Sequence, residues 1–177
     1  LAILVAGGMG APPIVHLSGI IKSQYPDTDM VVFVGTKSLS DLVFFDVQHD
    51  KINKTKVKLR EFEKHKIKTH ISTDDGSAGY KGFVTDNLKN WLLQNKPDAK
   101  KSVIYACGPE LMLRAAAVIA SEFNIPCQVS MERRMACGTG LCQSCAVKCI
   151  NKTNGNIYYK LCCKDGPVFP SDEIVWE

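Results

Sequence analysis

Six of the eight cysteines fall within residues 137–163, four of them in the thirteen-residue run CGTGLCQSCAVKC at 137–149. Thiols at this density are metal ligands or disulfide partners, and spacing separates the two. Disulfides staple small loop-rich folds through dispersed cysteines. Here the spacing is Cys137-x4-Cys142-x2-Cys145, then a gap to Cys162 or Cys163, which is the plant-type [2Fe–2S] ligand pattern. Its logic is geometric: two irons share four thiolates, so a tight loop wraps one side and a distant cysteine closes the other. Gly138 and Gly140 leave backbone N–H groups free to point at the sulfurs, which tunes the potential. Structural zinc is the competing reading. Zinc takes C-x2-C pairs or Cys2His2 sets. Only Cys142-x2-Cys145 has that spacing, Cys162 and Cys163 are adjacent, and His16, His49, His65 and His70 are remote in sequence. The cluster fits better than zinc, and disulfides or free thiols fit least. Cys149 reads as a hairpin core residue and Cys127 as a structural strand residue.

A second chemistry is written into four segments that each follow an apolar run. In GGMGAPP (7–13), Gly7, Gly8, Met9 and Gly10 end a buried strand and lead into a helix. Such a turn lets backbone approach a phosphate, and the helix offers its N-terminal N–H groups. It is not G-x-G-x-x-G, and alone it reads equally as a tight turn. Gly35-Thr36 places a hydroxyl where a ribose or phosphate would lie. In STDDGSAGYKG (72–82), Asp74 and Asp75 suit ribose hydroxyls and repel a 2′-phosphate, which favours NAD over NADP; a solvated acidic turn is the plainer reading. In ACGPELM (106–112), Cys107, Gly108 and Pro109 open a helix, and the small thiol could face a planar ligand. A free cysteine there is otherwise a small buried hydrophobe. Four such segments at one sheet edge weigh more than any one.

The elements that must position these residues alternate. Strands are predicted at 1–8, 30–36, 67–73, 102–108 and 127–132, with helices at 11–24, 38–48, 83–95 and 109–123. Proline in the first turn of 11–24 costs no hydrogen bond. Such alternation predicts an α/β fold, a five-stranded parallel doubly wound sheet with helices on both faces, whose ligands sit at the carboxyl ends of the strands. After Met131 helical periodicity stops, and AVKCI and IYYKLCC flank Asn154-Gly155, a hairpin signal. This divides the chain into a nucleotide-binding domain at 1–130 and a small cysteine-rich module at 131–177.

Composition excludes several classes. The chain has 177 residues, 45% hydrophobic and 23% charged, with net charge +4. The densest basic run, KINKTKVKLREFEKHKIK, is diluted by acidic and apolar residues, so it reads as a solvated face rather than a nucleic-acid surface. No run is long and apolar enough to span a membrane, and no signal-peptide n-region is visible. Clustered cysteines in a Lys/Glu-rich α/β chain favour metal binding in a reducing cytoplasm.

Together, GGMGAPP, STDDGSAGYKGFVTDNL, ACGPELML, MERRMACGTGLCQSC and LCCKDGPVF resemble the electron-transfer subunits of class 1B dihydroorotate dehydrogenase, within the ferredoxin reductase-like flavoproteins. The resemblance covers essentially the whole chain, and ERRMACGTGLC and CKDGPVF are its most specific parts. It implies an NAD-binding domain of ferredoxin reductase type, a [2Fe–2S] domain behind it and an FAD-binding β-barrel ahead of it. The barrel and its Arg-x-Tyr-Ser motif have no counterpart here, and the chain opens without Met inside a strand-like run, so a fragment is expected. FAD is then implied only through the Gly8–Gly10 edge. The resemblance assigns the fourth cluster ligand to Cys163, directly before KDGPVF; an extended segment would turn Cys162 to the opposite side. It also brings Glu132 and Cys107 near the nicotinamide.

The activity implied is that of an NAD-linked flavin/iron–sulfur oxidoreductase subunit. Electrons would pass among NAD(H), FAD and the cluster, serving an FMN-containing dihydroorotate dehydrogenase catalytic subunit in pyrimidine biosynthesis. Leu141 and Gln143 stand where the resemblance leads one to expect small or aromatic residues. That leaves room for sister subunits of sulfhydrogenases, sulfite reductases or NADH-dependent ferredoxin–NADP reductases. A nucleotide-binding module with a structural zinc is the remaining alternative.

Overall fold

The run from Ala2 to Ala6 contains no polar residue, so it is stable only where both of its faces are covered. In the computed structural model, which describes residues 1–42, 47–49 and 57–176, it is the central strand of the sheet. The elements are β1 (Ala2–Gly7), α1 (Ala11–Gln24), β2 (Met30–Thr36), β3 (Val47–His49), β4 (Val57–Leu59), α2 (Arg60–Glu63), β5 (Lys68–Thr73) and β6 (Tyr80–Lys81). There follow α3 (Val84–Asn95), β7 (Val103–Cys107), α4 (Glu110–Glu122), β8 (Cys127–Ser130), β9 (Ala146–Ile150), β10 (Ile157–Leu161), α5 (Cys162–Asp165) and β11 (Val168–Pro170).

The main sheet runs β11-β8-β7-β1-β2-β5-β6. Every pairing is parallel except β11 on β8. From β1 the chain moves outward through β2 and β5, then returns to lay β7 on the other side of β1. The order therefore switches between β1 and β7, and the loops leaving those strands border the crevice in which such sheets hold ligands.

Two expectations change. The sheet has seven strands rather than five. The five predicted strands are adjacent, as β1, β2, β5, β7 and β8, but β6 forms inside the 72–82 loop and β11 comes from the cysteine segment. Without β11, β8 would be an open edge with unpaired backbone groups. The helix expected at 38–48 is also replaced. Leu39–Asp41 is a single 3-10 turn and Val47–His49 is a strand paired antiparallel with Val57–Leu59. Residues 43–46 lie outside the described residues. Leu39, Leu42 and Val43 have helical spacing, but local propensity is a weak prior against pairing.

The sheet separates two cores. On one face Ile3, Val5, Val31 and Phe33 pack with Leu88 and Leu92 of α3 and with Leu113 and Ala116 of α4. On the other, Leu4, Ala6, Val32 and Val34 pack with Ile14 and Ile21 of α1 and with Phe62 of α2. The first core continues without a break into the cysteine segment through Cys145, Val147, Cys149, Cys162, Phe169 and Ile174. There β9 and β10 form the expected antiparallel hairpin. Its connection spans residues 151–156 rather than a two-residue turn, with the Asn151 carboxamide oxygen accepting from the Thr153 N–H at 2.9 Å.

On the α3 face, His70 stacks on Phe33 at 4.8 Å between ring centroids, with Trp91 edge-on at 5.8 Å from Phe33. Its Nε2 is buried without a hydrogen-bond partner among the described residues. Burial, and then the charge of Lys68, lower the imidazole pKa below 6.5. The folded state thus resists a proton that the unfolded chain accepts, and stability is lost as pH falls below about 6.5.

Denaturant unfolding at a series of pH values should show this loss, and His70→Phe, which keeps the stack, should flatten it; an unchanged slope in the variant would assign the acid sensitivity elsewhere. Phe169 is fully buried where the two halves meet, so Phe169→Ala should cost about 3–5 kcal/mol of unfolding free energy.

Candidate nucleotide edge and cysteine cage

The loops after β1 and β7 are in backbone contact. A Cβ on Gly10 would lie 2.0 Å from the Cys107 carbonyl oxygen, and one on Gly108 would lie 3.0 Å from the Gly7 Cα. These glycines are demanded by packing between strand ends. Gly8 differs: its φ is +51° and a Cβ there would meet open space. Gly8 is therefore the point where backbone is bare toward the crevice. Met9 beside it is 77% exposed, and α1 begins at Ala11 with prolines in its first turn. Pro12 and Pro13 carry no N–H and the Ala11 N–H donates to the Gly8 carbonyl, so a phosphate-bearing ligand meets exposed backbone and the positive end of the helix dipole rather than the free N–H groups expected of this turn.

Thr36 ends β2, and its carbonyl accepts the Asp74 N–H at 3.1 Å, which ties the second and third loops together. The Asp75 carboxylate accepts from both the N–H (2.8 Å) and the hydroxyl (2.6 Å) of Ser77. Those bonds, the hydroxyl first, hold its pKa below the usual range. Ser77 in turn accepts the Leu39 N–H at 2.8 Å. Asp75 thus shapes its own loop, while Asp74 lies exposed at the rim.

Cys107 ends β7 opposite Ser130 of β8. Burial raises the pKa of the Cys107 thiol; a hydrogen bond with the Ser130 side chain opposes the rise and the Glu132 charge adds to it. The thiol is neutral at physiological pH, suited to contact rather than to nucleophilic attack. Cys107 and Glu132 are brought together because β7 and β8 are neighbours. A cleft of about 350 Å³ opens beside them, lined by Gly108, Pro109, Glu110, Glu132, Arg133 and Arg134 among others. Arg133 grips Glu110 through two bonds of 2.9 Å.

Immediately beyond, the chain forms the cysteine loop. The Cys137 sulfur accepts the N–H groups of Thr139 and Cys142, each at 3.4 Å. Hydrogen bonding, with the Thr139 side chain first, pulls its pKa down to about 5. The Cys142 sulfur lies 3.1 Å from the Ser144 hydroxyl, and that contact, the largest cause, lowers its pKa too. Cys145 is buried, and its side chain is the largest cause of a raised pKa at the Cys163 thiol. The Gly140 backbone opposes that rise. The Cys142 N–H donates to the Cys137 sulfur and the Cys145 side chain acts on the Cys163 thiol, so the four cysteines fall into two neighbouring pairs. Among the described residues, no three His, Cys, Asp or Glu side chains close around a single-ion site. Thiols in pairs, with N–H donors aimed at the Cys137 sulfur, suit a two-iron cluster better than a single ion.

The other cysteines face away. Cys162 is 1% exposed and directs its sulfur at the Met131 carbonyl, 3.8 Å away. Residues 162–165 are a helical turn, not the extended segment expected, yet successive side chains on a helix also diverge. Cys149 is fully buried and points at the Val147 carbonyl at 3.6 Å. Cys127 is buried in β8, and burial pushes its pKa up to about 11.

Residue types and spacing did not single out three contributors: Arg133, Ser130 and Ser144. Ser144 ties the loop to itself through the Ala136 N–H and the Arg134 carbonyl, each at 3.3 Å. Arg133 lies inside the run ERRMAC, but nothing in a pair of adjacent arginines tells which of them will find a carboxylate.

Comparison with known proteins agrees with both halves of the site. Residues 4–117 match the oxidoreductase NAD-binding domain, and residues 132–175 match the iron–sulfur cluster binding domain of dihydroorotate dehydrogenase B. The chain is 38% identical over 171 residues to a probable dihydroorotate dehydrogenase B (NAD(+)) electron transfer subunit of Methanocaldococcus jannaschii, covering 96% of this chain and 55% of that protein. It is 38% identical over 174 residues to the corresponding subunit of Listeria welshimeri, covering 98% and 57%. The chain thus spans a little over half the length of these curated relatives. A solved structure of an NADH-dependent reduced ferredoxin–NADP oxidoreductase superposes with a TM-score of 0.74 at 27% identity, over 99% of this chain and 54% of that one. The chain belongs to the oxidoreductase NAD-binding family, in the form in which that domain is followed by an iron–sulfur cluster binding domain of the dihydroorotate dehydrogenase B type.

Proposed function

We propose that this chain is the NAD- and cluster-binding part of an electron-transfer subunit. It moves electrons among NAD(H), FAD and a [2Fe–2S] cluster and serves an FMN-containing dihydroorotate dehydrogenase. The observation that carries the reading is the adjacency of β7 and β8. The strand pair that brings Cys107 and Glu132 to the nucleotide edge also delivers the chain, seven residues after Ser130, to Cys137.

NAD is assigned to Gly7, Gly8, Met9 and Gly10, Thr36, Asp74 and Asp75, and Gly108 and Pro109. The cluster is assigned to Cys137, Cys142, Cys145 and Cys163. When bound, NAD and FAD exchange a hydride, and the cluster carries electrons singly. The protein's own work is orientation. Gly8 and the start of α1 receive the phosphates. Asp74 is placed to accept from a ribose hydroxyl. The neutral Cys107 thiol and the Glu132 carboxylate flank the place for the nicotinamide, and neither needs to transfer a proton, since hydride transfer depends chiefly on geometry. FAD would approach at the Met9 edge. Residues 1–130 form the nucleotide half and 131–177 the cluster half. Leu141, 83% exposed on the cysteine loop, suits the contact with a catalytic partner. No helix among the described residues is long and apolar enough to cross a membrane, and eight free cysteines suit the cytoplasm.

The likeness to the ferredoxin–NADP oxidoreductase structure supports a second reading, an NADH-linked subunit of that kind of complex. The co-purifying partner separates the two: an FMN protein that oxidises dihydroorotate supports the first, a ferredoxin–NADP reductase subunit the second.

Cys163→Ser should abolish the cluster's visible absorption and bound iron, while Cys162→Ser should retain both; the reverse pattern would overturn the choice of fourth ligand. A colourless protein with one zinc would overturn the cluster itself. NAD+ should bind at least about tenfold more tightly than NADP+, and Asp74→Ser should narrow the ratio, since a carboxylate at the ribose repels a 2′-phosphate; calorimetric titration reads both.

A further inference from the structure

We propose that Arg133 is a positioning residue that fixes the cluster loop against the nucleotide half. The inference rests on the reading of Cys137, Cys142, Cys145 and Cys163 as cluster ligands. The loop between Met131 and Cys145 is anchored at its ends, where both residues are buried. Between them nearly every residue is exposed, so burial does not hold it. Ser144 binds the loop only to itself. Arg133 reaches outside it. Its Nη1 and Nη2 donate to the two carboxylate oxygens of Glu110 at 2.9 Å each, and Nη1 also donates to the Glu132 carbonyl at 2.9 Å.

That arrangement fixes orientation as well as distance, because two parallel bonds between planar groups resist rotation. Glu110 is the first residue of α4, directly after Gly108-Pro109. One guanidinium therefore holds the start of α4, the backbone of Glu132 and the approach to Cys137, four residues on. The Arg133 side chain is 25% exposed and that of Glu110 is 52% exposed. A pair so placed adds little to stability; what it supplies is geometry. Lysine, a point charge on a flexible stem, cannot reproduce the fork.

The test uses the chain carrying its cluster. Arg133→Ala, Arg133→Lys and Glu110→Ala are each compared with the unaltered protein by electron paramagnetic resonance of the reduced cluster and by the rate of iron loss to a chelator. All three should alter the resonance line shape and speed iron loss about tenfold, the scale of contacts that orient ligands from outside the first layer. The double variant Arg133→Ala/Glu110→Ala should be no worse than either single one. Unchanged line shape and iron-loss rate in Arg133→Ala, even with lowered thermal stability, would overturn the proposal, as would a wild-type Glu110→Ala or full rescue by lysine. An unaltered protein with no [2Fe–2S] signal would overturn the ligand reading, and this inference with it.

Discussion

Strand β8 is hydrogen-bonded on both sides, to β7 in parallel and to β11 in antiparallel, and the site depends on that double pairing. The first pairing sets Cys107 opposite Ser130 and brings Glu132 to the nucleotide edge. The second draws the segment after Cys163 back onto the sheet and buries Phe169 under it. The two ends of the cysteine segment, before Met131 and after Cys163, are thereby attached to one rigid support. A module hung on a linker would leave the distance between nucleotide and thiols to chance; a shared sheet sets it to within the stiffness of packed β-structure.

The same residue type is driven in opposite directions across this support. Cys107, half-buried at a strand end, is kept a neutral thiol by desolvation and by Glu132. Cys137, exposed and surrounded by donors from Thr139 and Cys142, is readily a thiolate. The first can lie against a ligand without reacting with it. The second carries the deprotonated form that thiolate ligands require. Environment alone drives the two thiols toward opposite protonation states.

Much of this was legible in the chain itself. Apolar runs without alternation located β1 and β2, because only burial on both faces tolerates them, and the regular exchange of strand and helix patterns located the other three parallel strands. The cysteine spacing pointed to a cage, because two metals with four sulfurs need a tight loop and a distant closure. What was not legible depends on partners far away in sequence. Nothing local in Val168–Pro170 announces that it will complete a sheet begun at Ala2. Helical spacing at 38–48 did not reveal the antiparallel pair at Val47–His49 and Val57–Leu59. Glycines at 7, 10 and 108 look like ligand-binding residues, yet contact between the loops already requires them, and of these four only Gly8 faces open space. Arg133 became distinguishable from Arg134 only once Glu110 was in place beside it.

The late position of β11 has a temporal side. A ribosome releases the chain from its amino end, so the nucleotide half can pack before the closing strand exists. Three thiols of the cage, Cys137, Cys142 and Cys145, emerge together, whereas Cys163 comes eighteen residues after Cys145. Until Pro170 is available, β8 has a bare edge and the fourth thiol has no fixed station. Chain growth thus releases the nucleotide half first, the fourth thiol next, and the strand that fixes that thiol's position last.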